Sequence, residues 1–412
     1  MSTDSPKTLF NKNSLLLIQG TIVSRFGDVL YSIVIGYYVL QITDSKALMG
    51  VFTSLSMFVT MFLSPLTGAI VDRISRKFII VTMDLLRGVL MLLIGYLCLQ
   101  ANLQLNVLIV LTVLIALSSV LFQPAASTVL IDIVPKTEFV RANSIVTMLS
   151  GGMDLISKAV SGFLLLYFSI AHLIIFNGLS FLFSAITKYY IAIPKTPKQG
   201  SRLSLPVIFS DLLSGLLTLL KTKGLNVIFC LGIVINLCGA GIVTMLLLIN
   251  LEKGFNLQQH GLILSFISLG ALLGTMITSL FKFPDKVRPK MMIAGFLFGE
   301  LFFVLALIFR SFAIVTACFF SGHLANMIGN MILNSSYLII IPENQRATIL
   351  GFIFTSSIGG QALSTIVYGW LAELYPVSLI GIVGTLLGVV AILLMVFNKE
   401  VIKAVVASGG ET

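Results

Sequence analysis

Long apolar runs, each closed by a short polar break or by glycine and proline, cover most of the chain. Twelve of them approach or exceed the ~20 residues that a helix needs to cross a ~30 Å hydrocarbon core. They are 14–41, 46–72, 78–99, 105–133, 139–168 and 170–193, then 225–251, 258–281, 290–309, 312–341, 346–374 and 377–398. Lipid offers the backbone no hydrogen-bond partners, so runs of this length predict helices. Several are longer than the minimum, which predicts tilt or extension past the bilayer. The first follows a polar stretch of thirteen residues. It is too long for a signal-peptide core and has no small-x-small cleavage site, so it is expected to remain as a span.

The pattern breaks once, between the sixth and seventh runs. Residues 194–224 begin Pro194-Lys195-Thr196-Pro197-Lys198 and continue into Asp211-Leu212-Leu213-Ser214-Gly215-Leu216-Leu217, flanked by Lys221 and Lys223. The apolar part is short, and it reads as a helix lying in the cytoplasmic interface. The two sides of this linker repeat. Val134-Pro135 with Arg141-Ala142-Asn143 opens the fifth span, and Ile341-Pro342 with Arg346-Ala347-Thr348 opens the eleventh. Gly162 and Gly178 find counterparts in Gly369 and Gly384. The expected division is a six-helix bundle over residues 1–193, the linker over 194–224, and a second six-helix bundle over 225–412.

Composition agrees. The 412 residues are 57% hydrophobic and 10% charged, against about 25% charged in soluble domains. In a soluble chain a net charge of +10 would suggest nucleic acid; here no nucleic-acid partner is expected, and the position of the cations matters more. With the N-terminus inside, twenty of the 26 Lys and Arg fall on the cytoplasmic side, Lys188 among them. The outer side keeps Lys46, Lys253 and Arg310, and the spans hold Arg25, Arg87 and Lys158. This asymmetry predicts cytoplasmic termini and a cytoplasmic linker. Cys98, Cys230, Cys238 and Cys318 lie in or beside apolar segments and read as packing residues. The sequence contains no phosphate-binding Gly-x-x-x-x-Gly-Lys-[Ser/Thr] loop, no Cys/His metal cluster and no nucleophile elbow. No enzyme activity, cofactor or metal is expected, and uphill work would draw on an ion gradient.

Between the second and third runs stands Gly68-Ala69-Ile70-Val71-Asp72-Arg73-Ile74-Ser75-Arg76-Lys77. It follows the pattern G-x-x-x-D-[RK]-x-x-[RGK]-[RK] of the loop between helices 2 and 3 in the major facilitator superfamily. With Met83-Asp84-Leu85-Leu86-Arg87-Gly88, the chain most resembles that superfamily's macrolide-efflux-like drug exporters. The resemblance implies twelve transmembrane helices in two pseudo-symmetric bundles, with the substrate site between them. It also implies a cytoplasmic gate of Gly68, Asp72, Arg73, Arg76, Lys77 and Asp132. There Asp72 meets the dipole of the eleventh helix and Arg76 meets Asp132. The second-half counterpart, Asp285-Lys286-Val287-Arg288-Pro289-Lys290, keeps the charge but lacks the leading glycine. The fifth span departs further: Ser157-Lys158-Ala159-Val160-Ser161-Gly162 replaces a Gly-Pro motif characteristic of antiporters, and Lys158 takes the proline position.

Ionisable groups within spans are costly and are functional candidates by default. Arg25 and Asp28 share one face of the first span, as either a neutralising pair or a proton-coupling acid with its partner. Asp84 and Arg87 repeat that spacing on the third span and read as a brace. Asp154 and Lys158 form an acid-first pair on the fifth, with Lys158 also placed to meet an anionic substrate group. Glu300 stands alone on the ninth span, where a cross-helix partner is expected before proton carriage. His323, Asn326, Asn330 and Asn334 form one stripe on the tenth, expected to face the cavity, and His323 could titrate during transport. Gln123, Asn236 and Gln361 add neutral hydrogen-bonding groups.

The proton-coupling candidates are therefore Asp28, Asp154, His323 and Glu300. The cavity candidates are Arg25, Gln123, Lys158, Asn236, His323, Asn326, Asn330 and Gln361. The resemblance implies a secondary exporter of hydrophobic or amphiphilic compounds, working by alternating access in exchange for protons. Its expected partners are a small amphiphile, protons and membrane lipid, and its expected setting is a bacterial plasma membrane, as a monomer. Two alternatives stay open: a lipid, lysophospholipid or siderophore carrier of the same fold, and a transport-inactive receptor or scaffold.

Overall fold

The computed structural model describes residues 9–71, 73–193, 205–281, 283–284, 286–341 and 345–407. Within them the secondary structure is helical: α1 (Lys12–Thr43), α2 (Lys46–Val71), α3 (Arg76–Leu99), α4 (Leu105–Ile133), α5 (Phe139–Tyr167) and α6 (Ile170–Tyr189) precede the linker helix α7 (Leu205–Lys221). Then come α8 (Leu225–Thr244), α9 (Leu246–Glu252), α10 (Leu257–Leu280), α11 (Arg288–Ile308), α12 (Phe312–Ile340), α13 (Arg346–Leu371), α14 (Val377–Val396) and α15 (Lys399–Ala407). Among the described residues, twelve helices are long and apolar enough to cross a membrane. The seventh apolar run is not one helix. It breaks at Met245, whose φ of −98° and ψ of 14° lie in the bridge region and outside regular α geometry.

The chain divides into two compact units, residues 1–43 with 59–202 and residues 44–58 with 203–412. In the first, α3 and α6 pack along a seam of glycines. A Cβ on Gly88 would lie 2.7 Å from the Leu182 side chain, and one on Gly178 would lie 2.9 Å from Leu92. Without side chains at these points the backbones approach closely, as small residues permit between membrane helices. The α1–α6 contact works the same way at Gly27, where a Cβ would run into Asn177 Oδ1. These two seams bring polar positions of α1, α3 and α6 together inside the unit. Below them an apolar core of Leu17, Ile80, Phe122, Val129, Ile133 and Ile191 closes one end.

In the second unit, α11 meets α12 at Gly295 and Gly299, and α8 meets α13 at Gly241, over which the Tyr368 ring lies. The Gly241 amide donates to Ser364 Oγ at 2.8 Å. The linker helix packs into this unit: Leu219 clusters with Leu225, Ile341 and Ile349. Residues 44–58 also belong to it, and Gly50 abuts Gly369 of α13. The closing helix α15, which no apolar run announced, seats the buried Val401 and Val405 on the α11–α12–α14 core.

Candidate functional site

Charged side chains meet inside the first unit on four helices. Arg25 of α1 reaches across to Asp154 of α5, with Nε donating to Oδ1 at 2.6 Å and Nη2 to Oδ2 at 2.8 Å. The pairing expected along the first span, Arg25 with Asp28, forms no ion pair among the described residues. The planar guanidinium fork matches a carboxylate edge-on, and a facing helix presents that edge better than a residue one turn away. Lys158, one turn beyond Asp154, still lies within electrostatic range of both Asp154 and Arg25. The Arg25 side chain remains 42% exposed and Asp154 23%.

On the other side of Arg25, Asp28 lies within electrostatic range of Arg87 and Asp84 of α3. Asp84 is the hub of a fully buried network. It pairs with Arg87 on its own helix, as the spacing predicted, and accepts from Lys188 Nζ and Ser184 Oγ of α6, each at 2.7 Å. Phe122 covers both cations, with Arg87 and Lys188 lying 4.4 and 4.3 Å from its ring centroid. Lys188 is thus removed from the cytoplasmic cations among which the sequence count placed it: it is 0% exposed, and the remaining asymmetry is still large. Sequence reading missed its role because it is the penultimate residue of α6, a position that normally reads as interfacial. The available signal was Ser184 and Lys188, four residues apart on the face opposite Asp84.

At one end of the unit, Arg76 Nη1 meets Asp132 Oδ2 at 2.6 Å, the pairing that the family motif implies. Lys77 stacks over the Tyr189 ring at 5.3 Å, Arg73 is exposed, and Gly68 lies in α2. Asp72 falls outside the described residues. Gln123 is exposed on α4.

The second unit holds the other candidates, apart from those above. Glu300 is 6% exposed and has no hydrogen bond or ion pair among the described residues. It lies within electrostatic range of the Tyr368 and Cys238 side chains of α13 and α8, and the expected cross-helix partner is not found as a hydrogen bond or ion pair among the described residues. Asn236 and Gln361 meet each other at 3.3 Å across α8 and α13. His323 hydrogen-bonds the Phe319 carbonyl at 2.9 Å and packs at a tilt against Phe303 of α11, with ring centroids 4.7 Å apart. Asn326 faces Gly299 of α11 and accepts from Asn330 Nδ2 at 2.7 Å. This part of the polar stripe therefore forms a contact with α11.

A family model described as Major Facilitator Superfamily matches residues 17–357. The chain belongs to that superfamily. As a member it is a multi-pass membrane transporter, and its twelve apolar helices agree. No curated protein matches it by sequence. Solved structures of superfamily fold resemble it closely in shape. The nucleoside transporter NupG superposes with a TM-score of 0.75 at 13% identity, covering 93% of this chain and 98% of that one. A bacterial homolog of the human lysosomal transporter Spinster gives 0.70 at 13%, with 97% and 98% covered. A POT family transporter in complex with a thioalcohol-conjugated peptide gives 0.73 at 15%, with 96% and 99% covered. At these identities the likeness establishes the fold.

Proposed function

We propose that this superfamily member is a secondary active exporter of hydrophobic or amphiphilic small molecules, with macrolide-like drugs as the type substrate, moved in exchange for protons by alternating access. The observation that carries the reading is the Arg25–Asp154 pair. A bidentate charge-assisted contact that remains partly exposed between two membrane helices is costly to keep there unless it is used. Asp28 is the preferred proton acceptor, because it sits between this pair and the buried Asp84 hub. Its protonation would change the balance of charge on both sides at once. Asp154, His323 and Glu300 stand behind it. Arg25, Gln123, Lys158, Asn236, His323, Asn326, Asn330 and Gln361 are the proposed substrate contacts, and Gly68, Asp72, Arg73, Arg76, Lys77 and Asp132 form the proposed cytoplasmic gate. The efflux direction and drug-like substrate rest on the motif resemblance.

The test is accumulation of a fluorescent amphiphile in proteoliposomes under an imposed pH gradient. Uptake should follow the gradient in the wild type and fall at least tenfold in Asp28→Asn. Equal gradient-driven uptake by that variant would remove Asp28 from the mechanism.

A further inference from the structure

In the second unit α11 meets α12 through Gly295 and Gly299 and carries a groove on its opposite side. Lys290, Ile293, Ala294, Leu297, Phe298 and Leu301 line it, around a volume of about 440 Å³. Steps of three and four residues put all six on one stripe of the helix. Ile293 and Leu297 are half-buried and root the stripe in the apolar core of the unit. Phe298 is 56% and Leu301 50% exposed, and in a membrane span that exposure is to lipid. The short Ala294 side chain leaves the hollow between its longer neighbours.

The dimensions suit a single hydrocarbon chain. From Lys290 to Leu301 the helix rises about 16 Å, and one leaflet supplies half of the ~30 Å hydrocarbon core, about 15 Å. The volume spread over that rise gives a cross-section of about 27 Å², against roughly 80 Å² for a helix about 10 Å across. The ends differ in chemistry. Lys290 stands at the end that the cation count assigns to the cytoplasm; it is exposed and has no hydrogen bond or ion pair among the described residues. The stretch from Asp285 to Lys290 holds one acid and three bases, and the rest of the lining is apolar. A lysine so placed lays its stem along the groove and carries its ammonium to headgroup depth.

We infer that this groove seats one phospholipid of negatively charged headgroup from the cytoplasmic leaflet. One acyl chain lies along Ala294, Leu297 and Leu301, and the phosphate meets Lys290. The seat does not depend on the transport reading above. A zwitterionic lipid offers the same chain but brings a cation of its own to Lys290, so it is held less tightly. The cytoplasmic leaflet is also where anionic lipids face juxtamembrane cations.

The experiment uses the full chain in vesicles that mix phosphatidylcholine with phosphatidylglycerol. Trp370→Phe removes the one tryptophan of the chain, and Phe298→Trp puts a reporter at the groove; Leu301→Trp serves if that variant does not insert. Quenching is read with brominated acyl chains on one lipid and then on the other, which gives their relative binding at the reporter. One cation near the membrane surface favours an anionic lipid about fivefold, so phosphatidylglycerol should bind at least about fivefold tighter. Lys290→Gln should bring the two lipids to within about twofold, and Lys290→Arg should keep the preference. Ala294→Phe fills the hollow but leaves Lys290 in place, and it should lose the preference too. Leu386→Trp, 54% exposed at matching depth on the uncharged α14, reports the ordinary lipid shell and should stay within about twofold. Equal preference at the groove and at Leu386, or a preference that survives Lys290→Gln or Ala294→Phe, would overturn the inference. So would a groove reporter that neither lipid quenches, the mark of a protein partner such as a second copy lying over it.

Discussion

Asp84→Ala should be among the most destabilising substitutions in the first unit. The carboxylate accepts from Arg87, Lys188 and Ser184, and the three charged side chains are 5% exposed or less. Removing it leaves two cations facing each other in a dry interior beneath Phe122. Breaking a buried pair by deleting one partner costs about 3–5 kcal/mol, because the survivor is left uncompensated. In a unit of this size each kcal/mol moves the melting midpoint by about 2–4 °C. The expected loss is therefore roughly 6–20 °C, toward the lower end because Lys188 can shed its proton where Arg87 cannot. A thiol-reactive dye reads the transition in a variant keeping only Cys98, which lies in this unit on α3. Glu400→Ala is the control, since its Lys403 pair is 44–72% exposed and such pairs contribute ~1 kcal/mol or less. A midpoint within about 2 °C of wild type for Asp84→Ala would refute the reasoning.

Other outcomes follow from single contacts. Arg25→Lys keeps the charge but loses the bidentate fork, so flux should drop at least about tenfold while the midpoint stays near wild type; unchanged flux would count against the fork. Gly88→Val would place its Cβ only 2.7 Å from Leu182, so overpacking should cost about 1–3 kcal/mol, measured by the same Cys98 melt. Asp132→Asn removes the partner of Arg76 and should impair transport at normal membrane abundance; full activity would deny the cluster a gating role. In the second unit the Ala47 amide, and then the Ser45 hydroxyl, hold the Glu373 carboxyl below the usual carboxylate range. A lowered folded pKa means this clasp contributes at neutral pH and is lost as pH falls through the folded value. The protection of the Ala47 amide, its exchange rate relative to the intrinsic rate at each pH, should accordingly fall in acid in the wild type and be already low at neutral pH in Glu373→Gln.

Much of the fold could be read from the chain because the bilayer imposes one length and one backbone solution on every span. The spans expected at 105–133 and 139–168 became Leu105–Ile133 and Phe139–Tyr167. Local patterning does not report where a helix bends, so the break at Met245 went unseen. It does not report short amphipathic helices either, and α15 lay beyond the last apolar run. The candidate site was legible as an inventory of residues: Arg25, Asp28, Asp84, Arg87, Asp154 and Lys158 stand out as charges in hydrocarbon. Of their pairings, only Asp84 with Arg87 was. Spacing along a helix suggests neighbours one turn apart, whereas the glycine seams of α1, α3 and α6 decide which faces meet. Those seams gave Asp84 a second cation in Lys188, and a facing helix gave Arg25 its partner in Asp154.

The account stands on the coupling of substrate movement to protons through the charges of the first unit. The direct measurement loads proteoliposomes with a pyrene-tagged amphiphile and a pH-sensitive dye, then dilutes them into probe-free buffer with no imposed gradient. Outflow of the probe should acidify the lumen in the wild type, and Asp28→Asn should abolish the pH change. Probe leaving at the wild-type rate without any change in lumenal pH, or the same acidification with Asp28→Asn, would contradict it.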